Sequence, residues 1–228
     1  RTGASIAEHV GNIRQMAEVN TTVSGQTLLA VDHVECLAEN LKEVGNVFRL
    51  GAAGEQAVSV HTGMPDIVTE AARAVGKLLD AAVDAGRIGL DDLFDERYQP
   101  LPNTRPQKYR TRFDEFTDQA VAPLQEQLLA QHQCLVYAIC IDRNGYVPTH
   151  NRAFAQPLTG DEKLDFVRNR SKRIFDDPVG KRCGGHEHSF LLQTYRRDTG
   201  ELMHDISAPI YVKGRHWGGF RIGYRTEV

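Results

Sequence analysis

The chain has 228 residues and a formal net charge of −3, which gives no reason to expect a nucleic acid as its partner. It contains no run of about eighteen apolar residues, so we expect no membrane-spanning helix within it. Its four scattered cysteines match no metal-binding or haem-attachment motif, and we interpret them as buried free thiols in a reducing compartment rather than as two disulfides.

Residues 1–50 carry a heptad pattern that alternates spacings of three and four residues. The residues of its seam are Ile6, Val10, Ile13, Ala17, Asn20, Ser24, Thr27, Val31, Val34, Ala38, Leu41, Gly45 and Phe48. A repeat of about 3.5 residues is typical of a coiled coil or a long helical bundle. The centre of the seam is small and polar, which favours a multi-helix bundle. Because the pattern opens without a capping box or a start methionine, we expect the C-terminal piece of a longer protein.

A family likeness is present in two stretches of this segment. They are residues 19–30 and residues 37–50, the second of which ends with Val47-Phe48-Arg49-Leu50. They resemble the last heptads of the signalling domain of methyl-accepting chemotaxis receptors. The resemblance implies a homodimer through the bundle, a parent receptor coupled to a histidine kinase and an adaptor, a cytoplasmic location, and a parent anchored in the inner membrane. The kinase-contacting tip of that family is not present, so no residue here is assigned to kinase contact.

The same resemblance bears on one modification site. Adaptation sites of that family are glutamates or glutamines on the exposed helix face, often in adjacent pairs. Gln26 falls at the second position of such a pair, whereas Gly25 stands at the first. Gln26 is therefore a weak candidate, and an ordinary solvated helix position is the alternative interpretation.

The rest of the chain changes from helical to strand patterns. Gly51, Gly54 and the weakly patterned stretch up to Pro65 predict a linker at 51–63. The predicted helices are 66–85, 90–98, 114–132 with a kink or division at Pro123, and 161–175. The predicted strands are 134–141, 146–147, 189–196, 202–212 and 217–224. This order predicts an α+β fold with an antiparallel sheet.

Several strand sequences also carry a likeness. Three features are concerned: the turn Asp142-Arg-Asn-Gly145 after strand 134–141, the strand Ala208-Pro-Ile-Tyr211, and the hairpin that follows this strand. Together they resemble the paired strands of Cache and PAS-like sensor domains. The resemblance covers about 64–228 and implies a ligand-sensing fold. We therefore expect three parts: a bundle helix at 1–50, a linker at 51–63 and a Cache/PAS-like sensor domain at 64–228.

Polar side chains around the predicted strands form a candidate ligand site. A small organic acid or an amino acid needs an arginine fork, an acid or amide, and an aromatic wall. The predicted ligand-binding residues are Tyr146, His150, Asn151, Arg170, Tyr195, Arg197 and Asp205. Arg170 is chosen because Phe166 and Ile174 would share its helix face, so it should meet Asp205 or a ligand carboxylate. A solvated helix face is the alternative for the arginines at 168–173.

Metal binding and catalysis have less support. His186 and His188 lie on one face of an extended segment, but two ligands fall short of a zinc site, and they stay weak candidates. The sequence contains no phosphate loop, nucleophile elbow, zinc-protease motif or Rossmann glycines, so we expect neither an enzyme nor a bound cofactor.

These observations predict a cytoplasmic signalling fragment. Its C-terminal domain would sense a small molecule and alter the bundle through the Gly51–Gly54 hinge. The alternatives are a structural or protein-interaction module at the end of the bundle, and a haem- or redox-type sensor.

Overall fold

The computed structural model describes residues 11–27, 31, 34, 38, 51–196 and 202–226. The chain divides into two compact units, Arg1–Val44 and Gly45–Val228. In the first unit, residues 11–27 form helix α1, whose apolar residues Ile13, Met16, Val19 and Val23 are 52% to 66% exposed. The remainder of the predicted bundle helix, apart from helical residues 31, 34 and 38, lies outside the described residues. No helix in the described ranges is both long and apolar enough to cross a membrane.

The second unit mixes helices with antiparallel strands. Its helices are α2 (Gly51–Asp84), α3 (Leu90–Leu93), α4 (Asp114–Ala120), α5 (Ala122–Gln131), α6 (Glu162–Arg168) and α7 (Pro178–Gly185), with a 3₁₀ turn at Arg152–Phe154. Its strands are β1 (Gln99–Pro100), β2 (Tyr109–Arg110), β3 (Leu135–Asp142), β4 (Tyr146–Val147), β5 (Arg173–Ile174), β6 (Leu191–Arg196), β7 (Leu202–Val212) and β8 (Arg215–Tyr224). The predicted α+β fold is confirmed.

The main sheet has the strand order β3-β8-β7-β6, and every neighbouring pair is antiparallel. The β7–β8 hairpin closes at Lys213 and Gly214, whose φ angles of 50° and 73° are the positive values that a tight hairpin turn requires. Two short ladders, β1–β2 and β4–β5, lie outside this sheet.

Helix α2 fills one face of the sheet. It buries Met64, Val68, Val75 and Leu79 at helical spacing against β7 and β8. The predicted helix start at Asp66 is wrong, since the helix begins at Gly51 and contains Pro65. Proline removes one backbone hydrogen bond, but the buried residues on both sides of it hold the helix together. That residues 51–63 act as a hinge stays a prediction.

The opposite face of the sheet carries the polar residues. On β7, Ile206 and Ala208 belong to the core beneath α2, while the alternating Asp205 and Ser207 lie on the other face. Side chains of Tyr137, Ile139 and Ile141 on β3 line that second face, where α7 and the segment after β4 cover them. This alternation places charged groups in the interior of the domain.

The predicted helices 161–175 and 114–132 have different outcomes. The predicted helix 161–175 is wrong beyond Arg168, because Asn169 is extended and Lys172 has a φ of 60°. The chain turns back there so that β5 can pair with β4. The predicted division near Pro123 is confirmed, since α4 ends at Ala120 and α5 carries Pro123 in its first turn.

Candidate functional site

The centre of the polar sheet face is Asp205 on β7. Arg221 Nε of β8 donates a hydrogen bond to its Oδ2 at 2.6 Å, and the Tyr137 hydroxyl donates to the same oxygen. Cys183 Sγ of α7 donates to Oδ1 at 3.2 Å. Asp205 is fully buried and Arg221 is 6% exposed. A buried charge pair persists only where such hydrogen bonds offset its desolvation.

Glycines let these groups approach one another. Gly223 pairs with both Tyr137 and Asp205 across the sheet, and a Cβ there would lie 2.2 Å from Tyr137 Cε1. The ring of Tyr137 therefore occupies the space above Gly223 and reaches the carboxylate. In α7, which packs on this same face, a Cβ at Gly184 would lie 2.0 Å from the Asp142 carbonyl oxygen. Helix α7 thus sits close enough to the sheet for Cys183 to contact Asp205.

His150 lies next to this cluster, in the segment after β4. Its ring centre is 5.8 Å from that of Tyr137 and 5.1 Å from that of Phe154. Burial holds the pKa of His150 well below its usual value, and the positive charges of Arg170, Arg221 and Arg173 lower the pKa further. His150 is therefore neutral at physiological pH.

Two more arginines belong to the same neighbourhood. The guanidinium of Arg170 lies 6.0 Å from the ring centre of Phe154. Arg173 lies 4.5 Å from the Phe166 ring and 5.1 Å from the Phe175 ring. Burial, followed by the charge of Arg170, lowers the pKa of Arg173 to about 10. The arginines therefore raise the electrostatic potential in this region, which favours an anion.

Some buried polar atoms on this face keep unused hydrogen-bonding capacity. Within the described ranges, His150 Nδ1, His186 Nδ1 and Gln193 Oε1 have no hydrogen-bond partner. His186 Nε2 lies 2.8 Å from Ser207 Oγ, and Gln193 Nε2 donates to Cys183 Sγ at 3.2 Å. Buried polar atoms are normally paired, so this face can offer hydrogen bonds to a small polar molecule.

Two of the predicted site residues lie apart from Asp205. The hydroxyl of Tyr146 donates to Asp114 at 2.9 Å, and its ring packs on Phe113 in the core that α2 fills. Asn151 Oδ1 accepts a hydrogen bond from the backbone nitrogen of Ala138 at 2.8 Å, and its Nδ2 donates to Glu126. In the structure, both side chains therefore form hydrogen bonds that connect segments of the domain and stabilise it.

The structure brings other predicted residues together. His150 packs against the ring of Tyr137, whose hydroxyl donates to Asp205, and the charge of Arg170 acts on His150. The helical argument for Arg170 is wrong, because Arg170 follows the end of α6 and Phe166 is 42% exposed. The arginine that holds Asp205 is Arg221. Tyr195 pairs through its backbone with Met203 in the sheet, while its side chain and all of Arg197 lie outside the described part.

Sequence reasoning missed four residues of this site. They are Tyr137, Cys183, Gln193 and Arg221. The period-two alternation of the strands contains the signal for two of them, because Arg221 shares a face with Gly219 and Gly223, and Tyr137 with Ile139 and Ile141. Cys183 belongs to α7, a short Gly-rich helix that was not predicted from the sequence.

Three residues were weak candidates in the sequence: His186 and His188 for metal binding, and Gln26 for modification. The rings of His186 and His188 stack with centres 6.0 Å apart. Among the described residues, no three side chains of the metal-ligating types form a group that could hold an ion. Gln26 is an exposed residue of α1.

No family model matches this sequence, and no curated protein matches it. The chain is similar in structure to the sensor domain of the Campylobacter jejuni chemoreceptor Tlp3 (TM-score 0.39, 11% identity, 84% of this chain and 62% of that one). It is also similar to an extracellular ligand binding receptor from Desulfohalobium retbaense (0.33, 14%, 72% and 25%) and to the Escherichia coli DcuS sensor domain (0.27, 16%, 46% and 65%). It spans less than two thirds of each of these three chains.

Proposed function

We propose that residues 64–228 form a Cache/PAS-like sensor domain that binds a small organic acid or amino acid on the sheet face around Asp205. Binding, rather than catalysis, is its role. The observation that carries the proposal is a grouping around the buried His150: Arg170 lies over the ring of Phe154, Arg221 lies over the ring of Tyr137, and His150 contacts both rings. A ligand carboxylate would add a counter-charge beside these guanidinium groups, where partial burial strengthens the attraction.

The chemistry of the face suits such a ligand. Guanidinium groups bind carboxylates through parallel hydrogen bonds, and Tyr137, Phe154 and His150 supply a ring wall. The unpartnered atoms of His150 and Gln193 can hydrogen-bond to hydroxyl or amide groups of the ligand. Asp205 supplies the negative charge that an amino group would approach.

The proposal also covers how ligand binding is transmitted to the helical bundle. A ligand that binds one packing of the 148–175 segment and α7 more tightly than another shifts the balance between them. We propose that this shift reaches a chemoreceptor-type bundle through the first turns of α2. The resemblance of residues 19–30 and 37–50 to that bundle supports a cytoplasmic, homodimeric fragment of a membrane-anchored receptor that acts on a histidine kinase through an adaptor.

A ligand screen tests the binding proposal. Small mono- and dicarboxylates and the common amino acids are added to the full chain at constant ionic strength, and the melting temperature is measured. We expect one class to raise it by several degrees, and Arg170→Gln to abolish the shift with little change in the ligand-free melting temperature. Arg168→Gln, an exposed arginine two residues away, is the matched control and should respond like the wild type.

The screen also has outcomes that contradict the proposal. A panel without any response, or a normal response in Arg170→Gln, would refute the proposed site. A large loss of stability in ligand-free Arg170→Gln would instead give Arg170 a structural role.

One observation favours a second function, a structural or protein-interaction module. Asp205 already accepts hydrogen bonds from Arg221, Tyr137 and Cys183, so its carboxylate is satisfied without a ligand. In that case no compound in the panel changes the melting temperature. An absorption spectrum of the purified protein tests the haem or redox alternative, because either cofactor would colour it.

A further inference from the structure

Two histidines meet where the first part of α2 lies against the sheet. His61 of α2 and His204 of β7 have ring centres 4.6 Å apart and an interplanar angle of 81°. His61 Nδ1 lies 2.7 Å from the Tyr224 hydroxyl of β8. The edge of one imidazole therefore touches the face of another at the contact between helix and sheet.

The sheet side of this contact is fixed. His204 is 4% exposed and Tyr224 is fully buried, and their rings pack 5.4 Å apart. Thr194 Oγ1 of β6 lies 2.9 Å from His204 Nδ1, which holds the imidazole in place. Three neighbouring strands thus present His204, Tyr224 and Thr194 to the single histidine of α2.

This arrangement suits only neutral imidazoles. Within the described ranges, the buried His61 Nε2 has no hydrogen-bond partner, so an imidazolium, which carries a proton on both nitrogens, would hold a charged N–H there without an acceptor. A charge on either ring would also lie within 5 Å of the other ring, in surroundings of low dielectric constant. Protonation therefore acts against the contact between α2 and the sheet.

We propose that His61 and His204 form an acid-sensitive latch, which holds the first turns of α2 on the sheet at neutral pH and releases them on acidification. The latch lies in the core beneath α2, on the sheet face opposite Asp205, and does not depend on any ligand of that site. Met64 and Val68, three and seven residues beyond His61, are buried in the core, and we expect their packing to confine release to the part of the helix before them.

The direction of the pH effect follows from the burial. Burial lowers the pKa of His61, and it lowers the pKa of His204 to about 4, with the charge of His61 as the second cause. The released state has ordinary histidines with a pKa near 6.5, and therefore binds more protons in this range. The latch is stable above pH 6.5 and loses stability as the pH falls from there toward 4.

Hydrogen exchange of the full chain tests the latch. Protection factors of the amides at 58–64 are measured from pH 7.5 to 5.0, after correction for intrinsic exchange. We expect them to fall by about tenfold per pH unit below pH 6.5 for each imidazole that takes up a proton. Amides of β7 and β8 should keep their protection over the same range.

Variants separate the latch from general acid destabilisation. His61→Gln should remove most of the pH response, and His204→Gln provides the same test if the first variant folds poorly. The control His132→Gln, at the end of α5, should respond like the wild type. A wild type without loss of protection above pH 5, or a response that survives in both latch variants, would overturn the proposal.

Discussion

Asp205 organises the polar face of the sheet by accepting hydrogen bonds from three different elements. Arg221 comes from β8, Tyr137 from β3 and Cys183 from α7. Burial and the nearby carboxylate raise the pKa of the Cys183 thiol, although Arg221 opposes this effect, so the thiol stays protonated and able to donate. A single carboxylate thereby joins two strands and a helix that are distant in sequence.

Because of this role, removing the negative charge of Asp205 should greatly lower the free energy of unfolding. Asp205→Asn leaves the guanidinium of Arg221 buried without its counter-charge, and loss of one partner of a buried pair costs about 3–5 kcal/mol of the free energy of unfolding. Urea denaturation of the full chain measures this cost. Asp176→Asn, at an exposed position, should change the same quantity by less than about 0.5 kcal/mol. A loss below about 1 kcal/mol in Asp205→Asn would contradict the interpretation.

At the scale of elements, the sequence predicted those strands and turns that are set by local residue patterns. The apolar run at 134–141 and the turns at Gly145 and Gly214 predicted β3 and the β7–β8 hairpin, because strand pairing needs only alternation and a turn. Helix α7 escaped prediction, since its Gly-rich sequence is stabilised by Asp177, whose side chain accepts hydrogen bonds from the backbone of Val179 and Gly180. The end of α6 and the ion pair of Arg221 depend on tertiary contacts, which no local pattern contains.

The close contact of α7 with the sheet predicts a pair of opposite glycine effects. Gly184→Ala places a methyl group against the backbone of Asp142 and should lower the free energy of unfolding by about 1–3 kcal/mol, because that backbone cannot move aside. Gly63→Ala in α2 meets no atom within 4 Å and should raise it by up to about 1 kcal/mol through helix propensity. Urea denaturation measures both. Equal effects of the two substitutions would mean that α7 packs less closely.

At the scale of the whole molecule, the α+β fold class followed from the order of helical and strand patterns, whereas the strand order of the sheet and the extent of α2 did not. The core residues that the structure describes begin at Met64, yet the helix that carries them begins at Gly51. The extra turns contact the sheet through His61, and Val60 packs beside the core. The segment interpreted as a linker thus contributes contacts to the second unit.

This organisation predicts how truncated chains behave. A fragment of residues 51–228 should unfold cooperatively at the urea midpoint of the full chain, because it keeps every described core residue. A fragment of residues 64–228 should fold but lose about 1 kcal/mol, the usual net contribution of one hydrogen bond, together with the packing of Val60. Circular dichroism during urea titration measures both. If 51–228 is unfolded, the division of the chain into these units is wrong.

The hydrogen bond between Asn151 and Ala138 has a consequence for assembly. Strand β3 is an edge of the main sheet, and the outward amide of Ala138 is occupied by the Asn151 side chain. An edge strand whose amides are exposed can recruit a strand from another molecule and begin aggregation. By occupying this amide, Asn151 removes one of the donors through which a strand of another molecule could pair with β3.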